Sequence, residues 1–170
     1  DYPLLGMKVY GKSTQDGTPT PENPVEIVSV VEPTVTVCGK NLINAMYQTT
    51  TKGGITCTNN SNGTYTLNGT ATSEAVFTIV SRLDISGTYR IIGCPPNGSN
   101  GTYNISVNVD GAWSVNNYDI GNGSIINPSR YIIIAIAIRN GVTCNNLVFK
   151  PMLTTDLAAT YDDFEPYTAN

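Results

Sequence analysis

The stretch GAWSVNNYDIGNGS (111–124) groups residue types that can bind a sugar. Trp113 is the only tryptophan in the chain, and Tyr118 follows it after a run of polar residues. A flat aromatic ring can stack on the apolar face of a sugar ring, while nearby amides and carboxylates bond to its hydroxyls. The alternative is that Trp113 belongs to the hydrophobic core, as large aromatic residues usually do. The candidate ligand-binding residues are Trp113, Tyr118, Asn116, Asn117 and Asp119.

Residue types that would carry catalysis are scarce. The chain has no histidine, which excludes Ser-His-Asp and Cys-His sites and the HExxH zinc site. A pair of carboxylates for glycoside hydrolysis remains conceivable, but any β protein of this size carries a few acids. We therefore expect no enzyme activity and no cofactor. The carboxylates considered for that pair are Asp84, Asp110, Asp119, Asp162, Asp163 and Glu165.

The acidic stretch YDDFEPY (161–167) offers oxygen ligands of the kind that calcium prefers. Its candidate ligands are Asp162, Asp163 and Glu165. The alternative is a solvated acidic turn, and it is the one that we expect. The sequence therefore predicts no bound metal.

The four cysteines are Cys38, Cys57, Cys94 and Cys144, with no C-x-x-C pair among them. Zinc sites need closely paired ligands and usually histidine, so we expect buried thiols that act as small hydrophobic groups. One disulfide stays open as an alternative. This cysteine usage favours assembly in a reducing cytoplasm.

Charge and hydropathy exclude two classes of partner. The net charge is −4 and only 13% of residues are charged, without the basic cluster that nucleic acid requires. The apolar run IIIAIAI (132–138) is too short to span a bilayer, so we expect a buried strand and no membrane partner. The first ten residues have neither a basic start nor a long apolar stretch, so we expect no signal peptide there.

The elements that position these residues are predicted to be strands. Asn-Gly recurs at 62–63, 68–69, 97–98, 100–101, 122–123 and 140–141, and this dipeptide closes tight hairpins because both residues enter the left-handed region. Turn signals at about 8–12-residue spacing between short β-rich runs predict an all-β sandwich or barrel. The expected strands are 25–31, 34–38, 54–58, 64–68, 75–80, 88–93, 103–109, 112–118, 131–139 and 146–153.

Two strands indicate their surroundings by their side-chain pattern. Residues 103–110 alternate, with Tyr103, Ile105, Val107 and Val109 on one face and Asn104, Ser106, Asn108 and Asp110 on the other. This pattern predicts a half-buried strand with an amide-rich outer face. Residues 131–138 are apolar on both faces, which predicts a central strand packed on two sides.

Several stretches together resemble the tail-associated and other structural proteins of phages and prophages from gut Firmicutes. YGKSTQDGTPTPENPVEIVSV (10–30) is similar to their connector, and VCGKNLIN (37–44) with GITCTNNSNGTYTLNGTAT (54–72) is similar to the opening of the jelly-roll domain that follows. The stretches 86–107 and 140–167 resemble the middle and the closing strands of that domain. The closing stretch departs from the usual GTTATxYEPY-like run, because TDLAATYDDFEPY (155–167) carries extra acids.

The resemblance implies an antiparallel β-sandwich with jelly-roll topology over 37–170, preceded over 1–36 by an extended connector with one or two strands. It also implies a virion location on a tail, baseplate or fibre, with no catalytic residues. We expect a module that binds bacterial surface glycan; the alternative is an assembly module that braces neighbouring virion proteins without binding glycan. Because tail fibres are often trimeric, a homotrimer is one state that the resemblance allows.

Overall fold

The computed structural model describes residues 7–10, 13–15, 27–29, 34–37, 40–45 and 47–168. The chain divides into two compact units, Asp1–Cys38 with Ala169–Asn170, and Gly39–Thr168. In the first unit, four strands form two antiparallel pairs: β1 (Met7–Tyr10) with β4 (Thr34–Val37), and β2 (Ser13–Gln15) with β3 (Ile27–Ser29). These four short strands are those of the described residues, and the division into a connector over 1–36 and a jelly-roll domain over 37–170 stays a prediction.

Eleven strands form three antiparallel sheets in the described part of the second unit. The strands are β5 Thr50–Lys52, β6 Ile55–Asn59, β7 Tyr65–Thr70, β8 Ala75–Asp84, β9 Tyr89–Ile92, β10 Tyr103–Val109, β11 Ala112–Trp113, β12 Ser124–Ile126, β13 Tyr131–Ile138, β14 Thr143–Phe149 and β15 Met152–Thr154. The strand order is β11-β10-β13-β8 in the first sheet, β12-β9-β15 in the second and β14-β7-β6-β5 in the third. Two single turns of 3-10 helix, Val115–Asn117 and Tyr161–Asp163, interrupt the loops.

The three sheets enclose one hydrophobic core. Phe77 and Ile134 from the first sheet, Ile91 from the second, and Ile55 and Leu67 from the third are all buried in a single cluster. The prediction of an all-β antiparallel sandwich is confirmed. The jelly-roll topology stays a prediction.

Strand β13 follows its predicted pattern most closely. It lies between β10 and β8, and its four even-numbered isoleucines are completely buried in the core. On the opposite face, Ala135 and Ala137 are also buried, whereas Tyr131 and Ile133 are half-buried. The small alanines leave room above this part of the sheet.

Among the described residues, one predicted Asn-Gly pair closes a hairpin, four lie in loops that connect different sheets, and one lies inside a strand. Asn62-Gly63 lies in the turn between β6 and β7, where Gly63 has a φ of +82°. Asn68-Gly69, in contrast, lies inside β7, so the turn predicted there is wrong. Glycine is needed at position 69 because a Cβ there would overlap the carbonyl oxygen of Gly54, in the turn just before β6.

Two predicted strands have different bounds. The expected strand 112–118 ends at Trp113 and continues as a 3-10 turn, capped by the Ser114 hydroxyl. The expected strand 146–153 is two strands in different sheets, β14 and β15, separated by Lys150-Pro151. Proline cannot donate a ladder hydrogen bond, so the chain leaves one sheet there and enters the next.

Candidate functional site

The outer face of the first sheet carries the candidate site. Residues that lie opposite each other in an antiparallel pair share a face, and Trp113 lies opposite Asn108. On the same face, Ser106 lies opposite Ala135, and Asn104 lies opposite Ala137. The single tryptophan is thus placed beside the polar face of β10 and the alanines of β13.

The polar side chains of β10 do not face solvent, and the predicted amide-rich outer face is wrong. Asn104, Ser106 and Asn108 are all buried. The Ser106 hydroxyl donates to Asn104 Oδ1 at 2.6 Å, and Asn108 Oδ1 accepts from the N–H of Gly111 at 2.8 Å. Buried polar groups need such partners, so these residues hold the sheet and its hairpin together rather than offering a free surface.

A pocket of about 200 Å³ opens above this face. Ser106 and Ala137 line it with small side chains, and the rings of Trp113 and Tyr118 line it with aromatic surface. Trp113 is 50% exposed, so it does not belong to the core. We call this site the Trp113 pocket; it is lined by Glu74, Val76, Ser106, Trp113, Tyr118, Ala137 and Arg139.

The loop that carries both aromatic residues begins and ends on β10. It leaves through the short strand β11, and it returns where Asp119 and Ile105 exchange two backbone hydrogen bonds of 2.9 and 3.0 Å. Asn116 and Asn117 lie in the 3-10 turn between Trp113 and Tyr118, and neither lines the pocket. The carbonyl of Asn116 instead accepts from the Ser124 hydroxyl at 3.0 Å.

Asp119 supports this loop from inside the protein. Its carboxylate is completely buried and accepts from the backbone N–H groups of Cys94, Gly121 and Gly123, each at 2.8 Å. Burial raises the pKa of Asp119 above its ordinary value, although the three N–H groups act in the opposite direction. The prediction that Asp119 contacts ligand is therefore replaced by a positioning role.

Five of the seven lining residues were not predicted as site residues, and two of these five are charged. Glu74 and Arg139 form an ion pair at one side of the pocket, and Arg139 Nε also donates to the carbonyl of Asn100 at 2.9 Å. They immediately flank Ala75 and Ile138, which are paired between β8 and β13. Only this register reveals the pair, since 65 residues separate the two in sequence.

The acidic stretch 161–167 does not gather metal ligands. The carboxylate of Asp163 accepts from the N–H and the hydroxyl of Thr160, and these bonds lower its pKa. Glu165 pairs with Lys40 at 3.4 Å, while Asp162 is exposed. Among the residues that the structure describes, no three His, Cys, Asp or Glu side chains converge on a possible metal site.

Three of the cysteines are buried free thiols, as predicted: Cys57, Cys94 and Cys144. Burial raises the pKa of Cys57 to about 12, so the thiol stays protonated and unreactive near neutral pH. Cys38 lies outside the described residues. In the described ranges, no helix has the length and apolar character needed to cross a membrane.

The loop, the two rings and the ion pair thus form a small aromatic pocket over a floor of short side chains. No protein-family model, curated protein or solved structure matches this chain.

Proposed function

We propose that this protein is a non-enzymatic saccharide-binding module of a phage virion, and that it holds a bacterial surface glycan in the Trp113 pocket. The observation that carries the proposal is the half-exposed Trp113 ring, which forms one wall of a pocket together with Tyr118. A large ring left in solvent beside a cavity indicates contact with a ligand rather than a contribution to packing.

The other lining residues define the ligand further. Ser106 and Ala137 leave space for a flat ring against the aromatic walls. At the side, Glu74 can accept a hydroxyl hydrogen while Arg139 donates to a neighbouring oxygen. Because the two charges cancel, the pocket favours a neutral sugar with adjacent hydroxyl groups.

The same chemistry argues for binding rather than hydrolysis. Glycoside hydrolysis uses two carboxylates about 5–9.5 Å apart on either side of the scissile bond. Of the described residues that line the pocket, Glu74 is the only carboxylate, and its charge is matched by Arg139. We therefore keep the expectation of a binding module as part of this proposal.

An assembly role is the second candidate, and a specific surface favours it. Val115 and Ile125 are 55% and 46% exposed, and they lie on adjacent segments that the Asn116–Ser124 hydrogen bond joins. A neighbouring virion protein could cover these residues. Addition of a strand from a neighbouring protein to the free edge of β8 is less favourable. Lys52 Nζ already donates to the Val76 carbonyl at 3.1 Å, and two register shifts interrupt the pairing of β8 with β13.

Binding of purified cell-wall polysaccharides from a panel of host bacteria distinguishes the two candidates. For the full chain, we expect Trp113→Ala to weaken binding by at least about tenfold, which corresponds to about 1.4 kcal/mol. The matched control, Val115→Ser with Ile125→Ser, removes exposed apolar area outside the pocket and should bind normally. Thermal unfolding of each variant shows whether it is folded.

Equal binding by Trp113→Ala and the wild type would contradict the placement of the glycan in the Trp113 pocket, and the absence of binding to any polysaccharide would contradict the saccharide proposal. Loss of association with virion proteins only in the Val115/Ile125 variant would favour the assembly role.

A further inference from the structure

A second and larger cleft, of about 410 Å³, lies elsewhere in the second unit. Its volume is in the range of small-molecule sites, about 300–1,000 Å³. Its walls come from the segment before β5, the β6–β7 turn and the closing segment. We call it the amide cleft; it is lined by Asn44, Ala45, Gln48, Asn59, Ser61, Asn62, Gly63, Pro166 and Tyr167.

The turn wall is held rigidly by its own side chains. Asn59 Oδ1 accepts from the N–H of Ser61 at 2.7 Å, and Asn62 Oδ1 accepts from both the N–H and the hydroxyl of Thr64. Ser61 has a φ of +62°, a left-handed conformation that is uncommon for a residue with a Cβ. The turn therefore keeps a defined shape at the edge of the cleft.

The other two walls are fixed by buried groups. Tyr65 donates its hydroxyl hydrogen to the Ala45 carbonyl at 2.7 Å and accepts from the N–H of Tyr47 at 3.0 Å. The buried Asn41 donates through Nδ2 to the carbonyl of Glu165 at 3.1 Å, just before the closing wall. Because all three walls are tied to the sandwich, the cleft is formed before any ligand arrives.

Several polar groups in the cleft remain available to a ligand. Within residues 40–45 and 47–168, the side-chain amides of the exposed Asn44 and Gln48 have no hydrogen-bond partner, nor does Nδ2 of Asn62. Tyr167 is 40% exposed and adds one aromatic ring. None of the lining residues is charged.

We propose that the amide cleft is a second saccharide site, selective for neutral sugars and independent of the Trp113 pocket. Amides both donate and accept hydrogen bonds, as hydroxyl groups do, and Tyr167 offers a flat surface for a sugar ring. An anionic ligand would lose hydration on entering without gaining an opposite charge. This inference deepens the proposed function and rests on it, because it assigns a second contact to a glycan-binding module.

The test uses the ¹⁵N-labelled full chain, titrated separately with N-acetylglucosamine, galactose and maltose, and with glucuronate as the anionic probe. Side-chain NH₂ signals of Asn44, Gln48 and Asn62 report on the amide cleft, and the indole N–H signal of Trp113 reports on the pocket. Each site is thus observed in the same spectrum by its own groups.

We expect at least one neutral sugar to shift the amide signals, with glucuronate bound more weakly. Trp113→Ala should leave these shifts unchanged, Tyr167→Ala should reduce the affinity by about tenfold, and Tyr167→Phe, which keeps the ring, should preserve it. Amide signals that do not respond to any neutral sugar would overturn the second site, even if the indole signal shifts. An uncharged peptide that shifts the amides where no sugar does would also overturn it.

If only the indole signal fails to respond, the Trp113 pocket proposal is wrong while the amide cleft stands. The two failures are therefore distinguishable.

Discussion

The Trp113 pocket and the amide cleft present different lining chemistry within the second unit. The pocket combines two aromatic rings with an ion pair, whereas the cleft combines one ring with uncharged amides. Their construction differs as well. The pocket lies on a sheet face, where strand register places the residues, while the cleft is bounded by turns that side-chain hydrogen bonds hold in shape. Mutations that alter register, turn shape or charge should therefore affect the two sites separately.

Asp119→Ala should produce the largest difference between sugar binding at the Trp113 pocket and sugar binding at the amide cleft. Three backbone N–H groups lose their buried acceptor, which should lower the free energy of unfolding by about 3 kcal/mol and release the loop that carries Tyr118. Denaturant unfolding measures the first effect, and sugar titration at each site measures the second. Asp119→Asn keeps one acceptor oxygen and should lose less. Equal damage to both sites would show that Asp119 stabilises the whole unit rather than the pocket loop.

Ala137→Leu should close the pocket without closing the cleft. The leucine side chain would extend from the sheet face into the space beside Trp113, so we expect sugar affinity at the pocket to fall about tenfold. Because Ala137 itself is buried, the larger side chain should also lower the unfolding free energy by about 1–3 kcal/mol. Ala137→Ser is the matched control of nearly the same size. Undiminished binding by the leucine variant would place the ligand elsewhere.

Gly63→Ala should weaken sugar binding at the amide cleft and leave binding at the Trp113 pocket unchanged. At a φ of +82°, alanine costs about 1 kcal/mol, and its Cβ would lie 3.5 Å from the Phe164 ring. Gly141 has nearly the same φ, +83°, but a Cβ there contacts nothing within 4 Å. Gly141→Ala should therefore cause a similar stability loss with normal binding at the cleft. If both variants bind alike, Gly63 does not shape the site.

Glu74→Gln tests the role of charge. The exposed ion pair contributes only about 0.5 kcal/mol to stability, so the unfolding free energy should barely change. The pocket, however, keeps an unmatched Arg139, and its preference should shift from galactose toward galacturonate in a salt-dependent way. Asp84→Asn, which removes the Arg82–Asp84 pair outside the pocket, is the control. An unchanged preference between galactose and galacturonate would show that the ion pair does not contact the ligand.

The smallest expected effect is a change in how stability depends on pH. Asp110, in the β10–β11 hairpin, accepts from the N–H groups of Ser129, Tyr131 and Arg130, which hold its pKa below the ordinary range. Its folded-state pKa is thus lower than its unfolded-state pKa, so its contribution to stability is present above the ordinary aspartate pKa. That contribution is lost as the pH falls through the folded-state value.

Asp110→Asn should therefore reduce the drop in Tm between pH 7 and about pH 3. Asp162→Asn makes the same change of charge at an exposed residue and serves as the control. An identical acid-induced drop in the Asp110 variant and the wild type would contradict the assignment.

The sequence predicted the parts of this molecule that depend on local pattern. The isoleucine run predicted β13, and the Asn62-Gly63 pair predicted the β6–β7 hairpin. Each pattern lies within a few consecutive residues, so it can be recognised without knowledge of the tertiary structure. Asn68-Gly69 carries the same dipeptide but lies in a strand, because its neighbours pair with both β6 and β14. Only tertiary pairing distinguishes the two cases.

The sequence predicted the two aromatic residues of the Trp113 pocket but not the residues that form its other walls. Trp113 and Tyr118 are close in sequence, so their proximity could be inferred, although the strand predicted over 112–118 is a short strand followed by a 3-10 turn. Glu74 and Arg139 meet only through the register of β8 and β13, which composition does not specify. The polar residues of β10 showed the predicted alternation, but the structure buries them, with hydrogen bonds inside their own strand and hairpin.

The hydrogen bonds of Asn41 have a mechanical consequence. Its amide joins the start of the second unit to Pro151 and Glu165 near the end, and it also accepts from the N–H of Leu153. Tension applied between these two ends would load the Asn41 bonds and the Lys40–Glu165 ion pair before it reached the sheets. The Trp113 pocket, whose lining residues all lie between these two ends, could then keep its shape while the chain is pulled.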